Sequence, residues 1–144
     1  MQDSVFLDSN IILYCYSNSE LDKQKIARDI FEIYTRPNIS KQVINEVTNI
    51  LFKKYKLDSQ SVESTILQIS NLVTILDFDL TTQVKAIRIK KDYNLQYYDS
   101  LILATALENN CKILYSEDMQ DGLVIENQLT IVNPFKKEKI IWKY

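Results

Sequence analysis

The sequence predicts an α/β protein, a three-layer α/β/α sandwich built around a central, mainly parallel sheet. Short apolar runs alternate along the chain with longer segments in which apolar residues recur at helical spacing. Parallel strands that alternate with helices are joined by right-handed crossovers, which place helices on both faces of the sheet. The length of 144 residues and the hydrophobic content of 46% fit one compact domain with a sizeable core.

The first half of the chain predicts one strand and four helices. The run Val-Phe-Leu after Ser4 is apolar throughout, as in a strand that is buried on both faces. In the longer helix that follows, Ile26 and Ile30 recur at helical spacing, and Pro37 ends it. Ser40 is a favourable N-cap for the next helix. The predicted elements are a strand at 4–7 and helices at 11–17, 21–35, 41–55 and 59–72.

The second half of the chain predicts three strands and two helices. Leu80, Val84 and Ile87 recur at helical spacing and indicate an amphipathic helix. The segment SLILATALEN is apolar nearly all round, so this second helix should be buried. The predicted elements are a strand at 73–76, helices at 79–93 and 100–109, and strands at 112–115 and 129–132.

The composition excludes several kinds of catalysis. The sequence contains no histidine, which removes Ser-His-Asp and Cys-His catalysis, H-E-x-x-H zinc hydrolysis and ribonucleases with an imidazole base. It contains one glycine, so a glycine-rich phosphate loop is impossible. Cys15 and Cys111 lie in apolar runs outside any metal-binding pattern and are expected to be reduced thiols. Catalysis must therefore come from carboxylates, hydroxyls, lysines or a metal.

The charge pattern gives two different indications. The net charge of −2 and the pI of about 5.2 lack the basic footprint typical of nucleic-acid binding. Lysine and arginine nevertheless cluster at 53–56, at 88–91 and in the C-terminal segment KKEKIIWKY, either as solvated surfaces or as local anion sites. The chain begins without the basic and apolar segments of a signal peptide and has no membrane-spanning run, so we expect a cytoplasmic protein.

Four acidic residues fall at positions where they can converge. Asp8 and Asp118 each follow a predicted strand, and ligands of parallel sheets bind at that edge. Asp99 stands at the start of the buried helix, and Glu46 borders the apolar stripe of its own helix. Two carboxylates about 4 Å apart repel by roughly 4 kcal/mol at an effective dielectric of 20. Either some of these acids are protonated or a divalent cation lies among them, and oxygen donors without His or Cys favour Mg²⁺ or Mn²⁺.

Each of these acids also has a purely structural interpretation. Asp8, Asp99 and Asp118 all precede helix-like segments, so each can be an N-cap that contributes about 1 kcal/mol. Glu46 can be an ordinary glutamate on a helix flank. On this interpretation the acids stabilise helices and form no site.

Four segments, in this order, carry a resemblance to a known family. They are LDSNIILY, SKQVINEV, YYDSLILATAL and LYSEDMQDG, and together they resemble the PIN-domain nucleases of the VapC toxin type. The terminal IVNPF is similar to the last strand of that family. The resemblance covers residues 4–135, which indicates a PIN-like nuclease domain at 1–135 followed by a lysine-rich tail at 136–144.

The resemblance implies a site, a reaction and partners. It implies that four acids are catalytic and bind Mg²⁺ or Mn²⁺ to hydrolyse RNA phosphodiester bonds, and these are Asp8, Glu46, Asp99 and Asp118. Three further side chains are implied to support or border the site, and these are Asn10, Ser116 and Asp121. The family further implies a toxin that is silenced by a small antitoxin protein with a basic tail, and a homodimer.

Two other functions remain open at this point. Acidic pockets at strand ends also perform aspartyl-phosphate chemistry in phosphatases and receiver domains, although a second aspartate usually stands two residues after the nucleophile. Asn10 occupies that position here. The third interpretation is a non-catalytic PIN-like binding module whose acids serve as helix caps.

Overall fold

The computed structural model describes residues 4–136. The predicted lysine-rich tail therefore lies outside the described residues, apart from Lys136. The six strands of the described part are β1 (Val5–Leu7), β2 (Asn38–Ser40), β3 (Thr74–Leu76), β4 (Ile113–Tyr115), β5 (Val124–Ile125) and β6 (Leu129–Val132). Its six helices are α1 (Ser9–Tyr14), α2 (Leu21–Ile33), α3 (Lys41–Lys53), α4 (Ser59–Ser70), α5 (Leu80–Tyr93) and α6 (Tyr97–Glu108).

The six strands form one sheet in the order β3-β2-β1-β4-β6-β5. Every neighbouring pair is parallel except β5 and β6, which are antiparallel at one edge. This confirms the predicted α/β fold with a mainly parallel central sheet that is flanked by helices. No helix within residues 4–136 is long and apolar enough to traverse a bilayer.

The central pair β1 and β4 fixes the place of the predicted site. All three residues of each strand are buried, as their apolar runs predicted. Leu7 lies opposite Tyr115, and the Asp8 amide donates to the Tyr115 carbonyl at 3.0 Å, so the ladder continues one residue past β1. Ser116 in turn donates its amide to Val132 on the next strand at 3.0 Å. Asp8 and Ser116 therefore leave the sheet side by side at its carboxyl edge.

Helix α6 is buried along most of its length, as its composition predicted. Its eight buried residues run without a break from Ser100 to Leu107. The helix begins at Tyr97, three residues before the predicted start, and Gln96 is its N-cap. Asp99 thus lies within the first turn of α6.

Several element boundaries from the sequence were wrong or incomplete. Strands β2 and β5 were not predicted, because each has only two or three residues and little apolar pattern. Helix α1 covers Ser9–Tyr14 rather than 11–17, because the Asp8 carboxylate accepts the Ser9 amide at 2.7 Å and starts the helix there. Ser40 is the N-cap of α3, as predicted, and accepts the Val43 amide at 3.3 Å.

Helix α5 carries a cap whose loss should be measurable. Asp79 accepts the Thr82 amide at 3.2 Å, while the Thr82 hydroxyl accepts the Asp79 amide at 3.3 Å in a capping box. We expect Asp79→Ala to lower the free energy of unfolding by about 1 kcal/mol, because it leaves amides of the first turn unpaired. Urea denaturation measures this change. Thr81→Ala, an exposed substitution in the same turn, is the control and should change stability little.

Candidate active site

Asp8 is a buried carboxylate at the carboxyl edge of the sheet. Its side chain is 6% exposed. One oxygen accepts the Ser9 amide at 2.7 Å, and the other accepts the Ser116 hydroxyl at 2.8 Å. Burial raises the pKa of Asp8 to about 6, the two hydrogen bonds oppose this rise, and the charges of Glu46 and Asp99 add to it. Asp8 does cap a helix, but a cap at this depth carries an ionisation cost that an exposed cap lacks.

Asp99 lies in the first turn of the buried helix α6 and is half-buried. Burial raises the pKa of its carboxyl, and the charges of Glu46 and Asp118 raise it further. The N-cap of α6 is Gln96, so the interpretation of Asp99 as a helix cap is wrong. Asp99 instead has a carboxylate neighbour on α3 and another in the loop after β4.

Glu46 reaches the site from the middle of α3. Its carboxylate accepts the Ser9 hydroxyl at 3.1 Å and the Gln42 amide group at 3.0 Å. The Gln42 nitrogen also donates to the Tyr98 carbonyl at 3.0 Å, directly before Asp99. Gln42 therefore connects α3 to the first turn of α6 and holds Glu46 close to Asp99.

Asp118 lies in the exposed loop that follows β4. The Asn10 side-chain amide donates to its carboxylate at 3.1 Å, and the Asn10 oxygen accepts the Glu117 amide at 3.4 Å. No helix follows Asp118 within the described residues, because the chain turns into β5, so the helix-cap interpretation is wrong here too. Asn10 thus ties the loop that carries Asp118 to helix α1.

The other two predicted supporting residues have different surroundings. The fully buried Ser116 donates to Asp8 and accepts the Met119 amide at 3.3 Å, so it orients Asp8 and shapes the loop. Asp121 accepts the Asn133 amide at 2.8 Å and lies 3.8 Å from the ammonium of Lys136. These contacts of Asp121 join the two ends of the β5–β6 hairpin.

The four predicted acids are brought into one electrostatic cluster. Asp8 is influenced by Glu46 and Asp99, and Asp99 is influenced by Glu46 and Asp118. Asp99 is therefore the central member of the set. In the part of the chain that the structure describes, no three Asp, Glu or Cys side chains are gathered closely enough to form a ready metal cage. The oxygen-only donors and their mutual repulsion fit a hard divalent ion that keeps some of its water.

Sequence reasoning missed the residues that organise this cluster. Ser9 and Gln42 both hold Glu46, and the spacing of Gln42 four residues before Glu46 was the signal that could have found it. Lys23 and Tyr14 bind the carboxylate of Glu117, the residue beside Asp118. Although burial acts to raise the pKa of Glu117, these hydrogen bonds outweigh it and lower that pKa. A fifth acid beside the cluster is thereby neutralised by its own cation.

The comparison with protein families finds the PIN domain. The model of the PIN domain matches residues 5–120, which include Asp8, Glu46, Asp99 and Asp118. No relative among curated proteins matches the sequence.

Several solved structures share the fold. A toxin–antitoxin complex from Klebsiella pneumoniae is similar at a TM-score of 0.69 and 21% identity, over 92% of this chain and 99% of that chain. The DNA-bound VapBC of Salmonella typhimurium gives a TM-score of 0.69 at 17% identity, over 90% and 98% of the two chains. VapC20 of Mycobacterium tuberculosis, described as a toxin that cleaves the sarcin-ricin loop, gives 0.65 at 12% identity, over 80% and 90%. At these identities the likeness concerns the fold.

Proposed function

The chain belongs to the PIN-domain family, and we propose that it is a metal-dependent endoribonuclease that hydrolyses RNA phosphodiester bonds. One observation carries this proposal: at the carboxyl edge of a parallel sheet, the charges of Glu46 and Asp99 raise the pKa of Asp8, and those of Glu46 and Asp118 raise the pKa of Asp99. Repulsion between carboxylates destabilises a fold, whereas a cluster of carboxylates is the ligand set that a hard divalent cation binds. The structural likeness to toxins, one of them described as cleaving the sarcin-ricin loop, supports RNA as the substrate.

We propose Mg²⁺ or Mn²⁺ as the ion and divide the acids by burial. Asp8 and Asp99, which burial penalises when they are charged, would bind the ion directly. Glu46 and Asp118 would complete the site through water or a second ion. When bound, the ion supplies charge neutralisation at the phosphate and activation of water for an in-line attack.

The surrounding side chains of this chain keep the acids in place for that chemistry. Ser116 holds one oxygen of Asp8, and Ser9 and Gln42 hold Glu46. Asn10 holds Asp118. Positioning of this kind preorganises a charged site, so that little reorganisation is needed during the reaction.

Local positive charge would bring the anionic substrate to an acidic protein. The clusters at 53–56 and 88–91 are candidates for steering the RNA backbone, because steering depends on the local field rather than on net charge. Such steering weakens as salt rises.

We further propose that the protein is the toxin of a toxin–antitoxin pair in the cytoplasm. Its partner would be a small antitoxin protein with a basic tail, which complements the acidic cluster, and its own state would be a homodimer. Support comes from the structural neighbours, which include toxin–antitoxin complexes.

The proposal predicts metal-dependent cleavage of RNA. With Mg²⁺ or Mn²⁺ we expect the purified protein to shorten a mixture of transfer, ribosomal and messenger RNA. We expect excess EDTA to stop cleavage, because it removes the ion that would neutralise the phosphate and activate water. Gel electrophoresis measures the products. Hydrolysis of a small aryl phosphate is measured in parallel with RNA cleavage. Turnover of the aryl phosphate with intact RNA would favour the phosphatase alternative, and turnover of neither would favour the binding module.

A further inference from the structure

We propose that a cleft beside the four acids binds a nucleotide a few positions away from the scissile phosphate, through the ring of Tyr55 and the ammonium of Lys54. This inference rests on the proposed ribonuclease function and assigns its substrate a second contact. The cleft has a volume of about 500 Å³. Its lining includes Ser9, Asn10 and Asp118 at the acidic cluster and Ile50, Lys54 and Tyr55 beyond it.

Helix α3 joins the two ends of this cleft. Glu46, Ile50 and Lys54 are spaced by four residues, so they lie along one face of the helix and its C-cap. Eight residues of helix correspond to about 12 Å along the axis. At a rise of about 3.4 Å per stacked nucleotide, this is a separation of a few nucleotides. A strand whose scissile phosphate lies at Glu46 therefore has a phosphate a few nucleotides away within reach of Lys54.

Lys54 is a cation that nothing in the described chain neutralises. It is exposed and forms no ion pair within residues 4–136. Lys23 contacts two acids that line the same cleft: it is engaged by Glu117 and lies 3.7 Å from Glu20. Lys23 thus neutralises Glu117, whereas Glu20 is half-exposed to solvent and only loosely paired with Lys23. Lys54 is the lysine of the cleft lining that has no carboxylate partner within the described residues.

Tyr55 supplies an aromatic surface next to that cation. Its side chain is 38% exposed, and its hydroxyl forms no hydrogen bond within the described residues. It also lines a second cleft of about 430 Å³ and so forms part of the wall between two open spaces. An aromatic ring beside a lysine is the usual composition of a single-stranded nucleic-acid site, where bases stack and phosphates pair. This combination favours a nucleotide over a peptide as the occupant.

The test compares four single substitutions in RNA cleavage. We expect Tyr55→Ala to raise KM about tenfold with kcat nearly unchanged, because the bound base loses its stacking partner far from the reacting atoms. Tyr55→Phe keeps the aromatic ring, so its KM should equal that of wild type. Lys54→Ala and Lys53→Ala each remove one positive charge from the same end of α3, so both variants should weaken the general attraction of RNA equally. A larger rise in KM for Lys54→Ala than for Lys53→Ala therefore reports the contact of Lys54 with a phosphate.

A binding measurement gives a readout that is independent of turnover. Each substitution is combined with Asp99→Asn, and the affinity for a labelled single-stranded oligoribonucleotide is measured by fluorescence anisotropy at several salt concentrations. We expect Lys54→Ala to reduce the slope of log affinity against log salt by about one, and Lys53→Ala to reduce it less. Thermal melting of every variant identifies a loss that is due to unfolding.

The outcomes separate this inference from the function on which it rests. If wild type cleaves RNA while Tyr55→Ala matches wild type and Lys54→Ala matches Lys53→Ala, the subsite is wrong and the ribonuclease stands. If wild type cleaves no RNA but the two variants weaken oligonucleotide binding, the subsite stands and the proposed reaction is wrong. Unchanged binding in both folded variants overturns the inference, as it would if a peptide occupied the cleft.

Discussion

Asp99→Asn should lower kcat/KM for RNA cleavage by about 100-fold or more, while the fold persists. Asp99 is the carboxylate that is influenced by both Glu46 and Asp118, and it also acts on Asp8. Removal of its charge takes away the acid that the whole cluster shares, and single electrostatic contributions at active sites are typically worth about 100-fold to 1000-fold. Asparagine keeps the shape of the side chain, and Gln96 remains the N-cap of α6.

A matched control shows whether loss of cleavage is specific to Asp99 or follows from the loss of any aspartate in the first turn of a helix. Asp22 lies in the first turn of α2, as Asp99 does in α6, but it is exposed and outside the cluster. We expect Asp22→Asn to cleave RNA at the wild-type rate. Both variants should retain the wild-type far-ultraviolet circular dichroism. An Asp99→Asn protein that is folded and fully active would refute the proposed role of the cluster.

The sequence predicted the central part of the fold well, because elements that are buried on all sides consist almost entirely of apolar residues. Strands β1 and β4 and helix α6 are apolar nearly throughout, and each was found near its observed position. The position of Asp8 after a buried strand followed from the same pattern. Strands β2 and β5 carry one or two apolar residues each, so their existence depends on pairing with neighbours that only the folded chain provides.

The contacts that organise the site depend on long separations in sequence. Ser9 meets Glu46 across 37 residues, and Lys23 meets Glu117 across 94. No local pattern marks such pairs. Sequence reasoning could therefore propose that four acids converge, but it could not identify Gln42 as the link between two of them or show that the neighbouring Glu117 is neutralised.

Burial makes Asp8 a source of instability, and this has a definite pH dependence. The pKa of Asp8 is raised from 3.8 to about 6 in the fold, so the folded state binds its proton more tightly than the unfolded state does. The ionisation cost is absent below about pH 4, grows as pH rises and is complete above about pH 6. A shift of about two units corresponds to about 3 kcal/mol. The same charge is what a divalent cation would bind.

We therefore expect Asp8→Asn, in the absence of metal, to gain stability over wild type as pH rises from 4 to 8. The change in that difference should be about 2 to 3 kcal/mol, because asparagine removes the charge and still caps α1. The Ser116 hydrogen bond favours the charged form of Asp8, and its effect is already contained in the raised pKa, so it leaves the direction of the trend intact. Urea denaturation in EDTA at each pH measures the difference.

Asp58→Asn is the matched control, since Asp58 is also an aspartate N-cap but lies exposed at the start of α4. Hydrogen bonds from Ser61 lower the pKa of Asp58, so its charge stabilises the fold above its unfolded pKa and this variant should gain nothing at pH 8. When Mn²⁺ is added at pH 8, the order of stability should reverse, so that wild type is more stable than Asp8→Asn. Wild type gains a binding free energy that Asp8→Asn largely lacks, because it has lost a direct ligand. A variant that stays equally far from wild type at pH 4 and pH 8, with and without Mn²⁺, would show that Asp8 is only a helix cap.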